Sequence, residues 1–203
     1  MSEGLLLIIS GPSGSGKGTV VNALRPHKNF ALSISVTTRE KRDGEIEGVH
    51  YFFRTKEEFE KMRDEGELLE HASYNGNFYG TPKFYVERQI KDGKAVILEI
   101  DVQGALQVKE LYSDCLLLFL VPPNRCELER RLVSRGTENA DSLSYRLKKA
   151  EQEFTQLEKY DYYIINDEID AAVAQIKTIT EAEMLRPNKN KKSIELFWEE
   201  KGC

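Results

Sequence analysis

The sequence predicts an α/β fold, a doubly wound parallel sheet built around a phosphate-binding loop. Two observations carry that reading. Continuous apolar runs at Leu5–Ser10, 95–100, 115–121 and Tyr162–Ile165 are separated by helical patterns, which is how strands covered on both faces read. The first of these runs leads directly into Gly11-Pro-Ser-Gly-Ser-Gly16-Lys17, the spacing G-x-x-x-x-G-K at the end of a buried strand. Glycines there let successive N–H groups turn inward as a nest for phosphate oxygens, a lysine reaches the β/γ-phosphates, and the next helix points its positive end at the same anion. The nucleotide site is therefore expected on Gly11, Pro12, Ser13, Gly14, Ser15, Gly16, Lys17, Gly18 and Thr19. The hydroxyl that usually follows the lysine is displaced by one residue: Gly18 stands in that place and Thr19 comes next.

Taken in order, the strand Leu5–Ser10 is followed by a helix over Lys17–Leu24 that stops before Arg25-Pro26, since proline disfavours helix in the residue before it. A short strand is expected at 32–36. The strand at 95–100 precedes a helix at 103–111, and the strand at 115–121 a helix at 124–134. A long helix spans 142–160, and the strand Tyr162–Ile165 leads into a last helix over Ile169–Met184. Ligands of such sheets bind outside the carboxyl ends of the strands. Two stretches break the alternation. Residues 37–89 combine charged loops, an alternating run near 49–53, a helix at Lys56–Asp64 and an aromatic, glycine-containing turn at 74–80, which reads as an inserted α+β subdomain. Residues 134–141 form a polar loop holding Gly136 between two strong helices, the composition of a mobile lid. The chain divides into a core (1–36, 90–124 and 151–186), an insertion (37–89), a lid (125–150) and a tail (187–203).

The bulk composition narrows the function. At 203 residues, 40% hydrophobic and 31% charged, the chain can bury a sizeable single core. A net charge of −5 gives no footprint for nucleic acid. The apolar runs fall far short of a membrane span, and no signal peptide is visible, so a cytoplasmic protein is expected. Three cysteines and three histidines show no metal or disulfide spacing.

Outside the phosphate loop, 35–42 holds Ser35, Arg39 and Arg42 among further hydroxyls; guanidinium forks and hydroxyls are the donors that phosphate requires. Around the lid stand Arg131, Arg135 and Arg146. Arginines there would spread positive charge over a transferring phosphoryl group. Arg131 reads as a surface ion pair with a neighbouring acid, and Arg135, beside Gly136, as the stronger candidate. Glu99 and Asp101 end an apolar strand, where a carboxylate can hold Mg²⁺ or its waters, accept from a ligand, or cap a helix.

Together the Gly11–Lys17 loop, Ser35-Val-Thr-Thr-Arg39-x-x-Arg42-x-Gly44-Glu45, Gly48-x-x-Tyr51, Glu70, Gly76-Asn-x-Tyr79-Gly80-Thr81, Asp101-x-Gln-Gly104 and Arg135-Gly-Thr-Glu138 resemble the guanylate kinase family. The likeness covers about residues 5–184 and keeps order and spacing. It implies a fold of P-loop kinase type, with ATP and Mg²⁺ on one side, GMP on the inserted subdomain, and transfer of the γ-phosphate to give ADP and GDP. Residues matching Arg39, Arg42, Tyr51 and Tyr79 hold the GMP phosphate in the family. Glu70 and Asp101 match acids that accept from guanine, while Ser35, Gly80 and Thr81 match positions beside the base. Arg135 and Arg146 match arginines that close on the ATP phosphates, and Asn166 falls in the adenine loop; Lys17 is expected to bridge the phosphates, with Arg39, Arg135 and Arg146 stabilising the transferring charge. A non-catalytic scaffold domain of the same fold would not need Gly14, Gly16, Lys17 and the lid arginines. A kinase for a phosphorylated sugar would not need Glu70, Thr81 and Asp101 arranged for guanine.

Overall fold

The computed structural model describes residues 3–74, 76–134, 140–191 and 194–196. Two sheets organise them. The larger holds β1 (Leu5–Ser10), β2 (Phe30–Leu32), β7 (Ala95–Glu99), β8 (Leu116–Val121) and β9 (Tyr162–Ile165), all parallel, in the order β2-β7-β1-β8-β9. The smaller holds β3 (Val36–Thr37), β4 (Phe52–Phe53), β5 (Leu68–Tyr74) and β6 (Asn77–Pro82) in the order β4-β3-β6-β5.

The large sheet is apolar on both faces because both are covered. Leu5, Leu7 and Ile9 of β1 pack with Val20, Val21 and Leu24 of α1 (Lys17–Leu24) and with Ala172, Val173 and Ile176 of α7 (Ile169–Met184). Leu6 and Ile8 point the other way, into Val86 and Ile90 of α3 (Lys83–Lys91) and Ala105 and Val108 of α4 (Val102–Leu111). The period of two along a strand thus feeds two separate cores. Winding runs one way from β1 to β7 and β2, and the other way to β8 and β9. The carboxyl end of β1, where Gly11 begins, is the switch point at which such sheets bind ligands.

The insertion has its own small core of Val36, Phe59 and Leu68, with Phe52, Met62 and Phe78 against it. Its helix α2 (Lys56–Asp64) starts on a capping box: Glu58 N–H donates to Thr55 Oγ1 at 3.2 Å and Thr55 N–H to the Glu58 carboxylate at 2.8 Å. Strand β5 ties the insertion to the core. Leu68 faces the small core, while Leu69 joins Leu6 and Ile8 in the large one.

Three expectations are corrected. The strand expected at 32–36 is two strands in two sheets, β2 ending at Leu32 and β3 beginning at Val36. Ser33 N–H, donating to Ile97 carbonyl at 2.8 Å, is where the chain leaves the core. The helix expected over 142–160 is α6 (Ala140–Phe154) followed by a 3₁₀ turn at Leu157–Lys159. The stretch expected as insertion, 37–89, divides at Pro82, since the next helix, α3, packs into the large core. The remaining helix, α5 (Arg125–Val133), precedes residues 135–139, which lie outside the described residues, as do 192–193 and 197–203 of the tail.

Candidate active site

The phosphate loop follows from three backbone angles. Gly11 has φ +141°, and Gly14 and Gly16 have φ +88°, a region that side chains rarely occupy. Space is equally restrictive. A Cβ on Gly11 would run into the Leu120 carbonyl oxygen, and one on Gly14 would stand 3.2 Å from Leu128 and Leu132 of α5. Lys17 opens α1, and its Nζ donates to the carbonyls of Gly11 at 2.6 Å and Pro12 at 3.1 Å. The lysine is thereby held across the mouth of its own loop.

Asn166 stands just beyond β9. Its Nδ2 donates to Ser15 carbonyl at 2.8 Å, its backbone N–H to Val121 carbonyl at 2.7 Å, and its own carbonyl accepts from Arg131 Nη2 at 3.0 Å. Arg131 makes the expected ion pair, Nε to Glu127 at 2.6 Å. It also takes the further bond to Asn166, which the sequence did not show because the two are joined only by the fold. Gly14, Gly16, Thr19, Arg131, Asn166 and Asp167 line a cavity of about 300 Å³ on this side of the loop. On the other side, Lys17, Gly18, Glu99, Asp101, Arg146 and Glu153 line one of about 240 Å³. Arg146 Nη1 lies 3.5 Å from Ser13 Oγ, so α6 reaches the loop. Glu153, not singled out in the sequence, faces this cavity from α6. Burial chiefly raises its carboxyl above the usual range, the positive charges of Lys149 and Lys17 opposing.

The insertion supplies the second half. β3 pairs with β6, setting Val36 opposite Gly80 and Thr37 opposite Tyr79. Tyr51 and Tyr79 meet edge-on with ring centroids 6.1 Å apart, and the Arg39 guanidinium lies 5.4 Å over the Tyr51 ring. The Arg39 guanidinium is also forked onto Glu45, Nη2 at 2.6 Å and Nη1 at 3.1 Å. Arg42 N–H donates to the same carboxylate at 2.8 Å, its side chain being exposed. Ser35 enters through its carbonyl, which accepts from Phe52 N–H at 2.8 Å.

A register shift re-aims one acid. Leu68 pairs with Pro82 but His71 with Gly80, so β5 carries one residue more than β6 between those pairs, a bulge at Leu69 and Glu70. Thr81 Oγ1 donates to Glu70 Oε1 at 2.7 Å. Gly80 lets the strands approach, since a Cβ there would lie 2.9 Å from the Glu70 carbonyl. Burial first, and the nearby Asp101 charge to a lesser degree, raise the Glu70 carboxyl above its ordinary range, while the Thr81 hydroxyl opposes the shift. Asp101 is the N-cap of α4, accepting from Gly104 N–H at 2.9 Å. A Cβ on Gly104 would lie 3.4 Å from Asp101 Oδ1 and 3.7 Å from Glu70 Oε2, so both acids converge on the first turn of α4.

The fold thus collects Gly11–Thr19, Asn166 and Arg146 at one flank of the sheet's carboxyl edge, and Arg39, Tyr51, Glu70, Tyr79 and Thr81 on the insertion, with Asp101 bordering both. Arg135 lies outside the described residues. A family model described as guanylate kinase matches residues 3–183. The chain is 49% identical over 194 residues to a guanylate kinase of Clostridium tetani, covering 96% of this chain and 93% of that protein. It is 50% identical over 182 residues to one of Halalkalibacterium halodurans, covering 89% of each. The crystal structure of guanylate kinase from Anaplasma phagocytophilum superposes with a TM-score of 0.70 at 37% identity, covering 93% of this chain and 90% of that one. The chain belongs to the guanylate kinase family.

Proposed function

We infer that this protein transfers the γ-phosphoryl group of ATP to GMP, giving ADP and GDP, and that it does so in the cytoplasm. The observation that carries the reading is the pairing of a glycine nest and lysine with a separate acid-and-hydroxyl pocket on an inserted sheet. One element takes a phosphate chain, the other a base with hydrogen-bond donors. Guanine N1–H and its 2-amino group need acceptors, and Glu70, held by Thr81, with Asp101 beside it, supplies them. Adenine has neither donor on that edge, so AMP would leave buried carboxylate oxygens unpaired, the kind of loss that gives strong rejection.

Phosphoryl transfer asks the protein mainly for alignment and positive charge. Lys17 would leave the Gly11 and Pro12 carbonyls for the β/γ-phosphates. Arg39, with Arg42, Tyr51 and Tyr79, would hold the acceptor phosphate, and Arg146, reaching the loop at Ser13, would cover the donor phosphates together with Arg135. The GMP phosphate is already ionised near neutral pH, so no general base is required. Closure of the insertion (37–82) and the lid (125–150) would exclude water, which otherwise takes the phosphoryl group.

Mg²⁺ fits the residues present. Gly18 leaves the Glu99 carboxylate against the loop, 3.4 Å from where a Cβ would stand, and Glu99 and Asp101 offer the hard oxygens that Mg²⁺ and its waters prefer. The ion would neutralise charge on the β/γ-oxygens. Glu99 and Asp101 would accept from its waters. The test is ADP release in the presence of ATP and Mg²⁺: turnover that requires added GMP supports the reading, and GMP-independent release contradicts it.

A further inference from the structure

We propose that Glu45 is a positioning residue for the acceptor phosphate, fixing the Arg39 guanidinium so that one particular edge faces GMP. The proposal rests on the reading of Arg39 as a phosphate-binding residue. A guanidinium carries five N–H donors in one plane, arranged as two forks. Here the Nη1/Nη2 fork is engaged by the two Glu45 oxygens at 3.1 and 2.6 Å, and Nη1 also donates to Glu40 carbonyl at 2.7 Å. The Tyr51 ring at 5.4 Å and the Phe53 ring at 5.9 Å cover the guanidinium. The fork that Glu45 leaves is Nε with Nη2, and the Tyr79 hydroxyl, itself assigned to the acceptor phosphate, also stands against the guanidinium. The same carboxylate accepts from Arg42 N–H at 2.8 Å, so it fixes the Arg39 guanidinium and the backbone at Arg42 together. The ion pair is largely shielded, with side-chain exposures of 14% and 17%.

Simple attraction does not explain this arrangement. Glu45 is held ionised, its carboxyl lowered to about 2 by its hydrogen bonds to Arg39 and then to the Arg42 backbone. It places a negative charge beside the site of a dianion, which on Coulomb grounds alone weakens GMP binding. Its gain must be geometric: a guanidinium already oriented when GMP arrives loses less freedom on binding.

The experiment compares unaltered protein with Glu45→Gln, which keeps shape and removes charge, and Glu45→Asp, which keeps charge and withdraws the carboxylate by one methylene. Guanosine, which lacks the phosphate, is the control ligand for the base pocket. KM for GMP is expected to rise tenfold or more in both variants, with KM for ATP, the guanosine inhibition constant and Tm nearly unchanged. A rise of less than tenfold in either variant, or tighter binding, would overturn the proposal. So would an equal loss of GMP and guanosine affinity, which would make Glu45 a staple of the loop. Failure of the unaltered protein to bind GMP is a different result, one that removes the functional reading on which the proposal rests.

Discussion

On the proposed reading, Glu70 trades stability for recognition. Its carboxyl is raised, chiefly by burial, so in the unliganded protein the ionised form is the costly one. A raised acid contributes stability while protonated and loses it as pH rises through its folded pKa. Glu70→Gln should therefore leave Tm unchanged or higher at neutral pH. The same change should raise KM for GMP roughly 100-fold, by removing an acceptor that guanine needs. In the unaltered enzyme, KM for GMP should climb on acidification, beginning above the ordinary carboxylate range, and the Gln variant should keep only the shallower limb that protonation of the GMP phosphate itself produces. Lys17 is the counterpart on the donor side. Lys17→Ala should lower kcat by roughly 10²-fold or more, because it removes charge that stabilises the transferring group, while the fold, measured by Tm, survives. Steady-state kinetics check both. Lys17 and Glu70 stood out in the sequence, one through the spacing of a loop, the other through the motif resemblance. Glu45 stood in that motif too, but neither its fork on Arg39 nor Arg131's bond to Asn166 could be read there. Both depend on how loops fold back, not on any fixed spacing.

At the scale of elements, Asp101 carries two duties that can be separated. It caps α4 through Gly104 N–H, and it lies beside Glu70 where guanine would sit. Asparagine is an equally good N-cap but carries no charge. Asp101→Asn should thus keep Tm and weaken GMP binding, whereas Asp101→Ala should do both harms, costing about 1 kcal/mol of stability. Thermal denaturation alongside KM for GMP distinguishes the two duties. The strong elements were legible because their apolar patterns are unambiguous: β1, β8, α1 and α7 fall where the sequence put them. The boundary at 32–36 was not. Leu32, Ile34 and Val36 alternate as one strand would, yet the chain there passes from one sheet to another. Nor was the bulge at Glu70, since nothing in the local sequence marks the extra residue. Helix α3 escaped notice as well, with Pro82 at its N-cap and no side-chain cap bond.

In the whole molecule, the two sheets meet where Asp101, which lines the cavity beside the glycine loop, and Glu70 of the insertion converge on the first turn of α4. β5 is the link, with Leu69 in the core of the first and Leu68 in the core of the second. The glycine loop alone declared a phosphate site; on the proposed reading the second sheet would make it half of a two-nucleotide site. Among the described residues no helix is long and apolar enough to cross a membrane. The central claim is that the acid pocket selects guanine. Coupled ADP release measured with ATP, Mg²⁺ and each of GMP, AMP, CMP and UMP tests it most directly. The structure predicts that kcat/KM for GMP exceeds that for AMP by roughly 10³-fold or more; turnover of AMP comparable to that of GMP would contradict it.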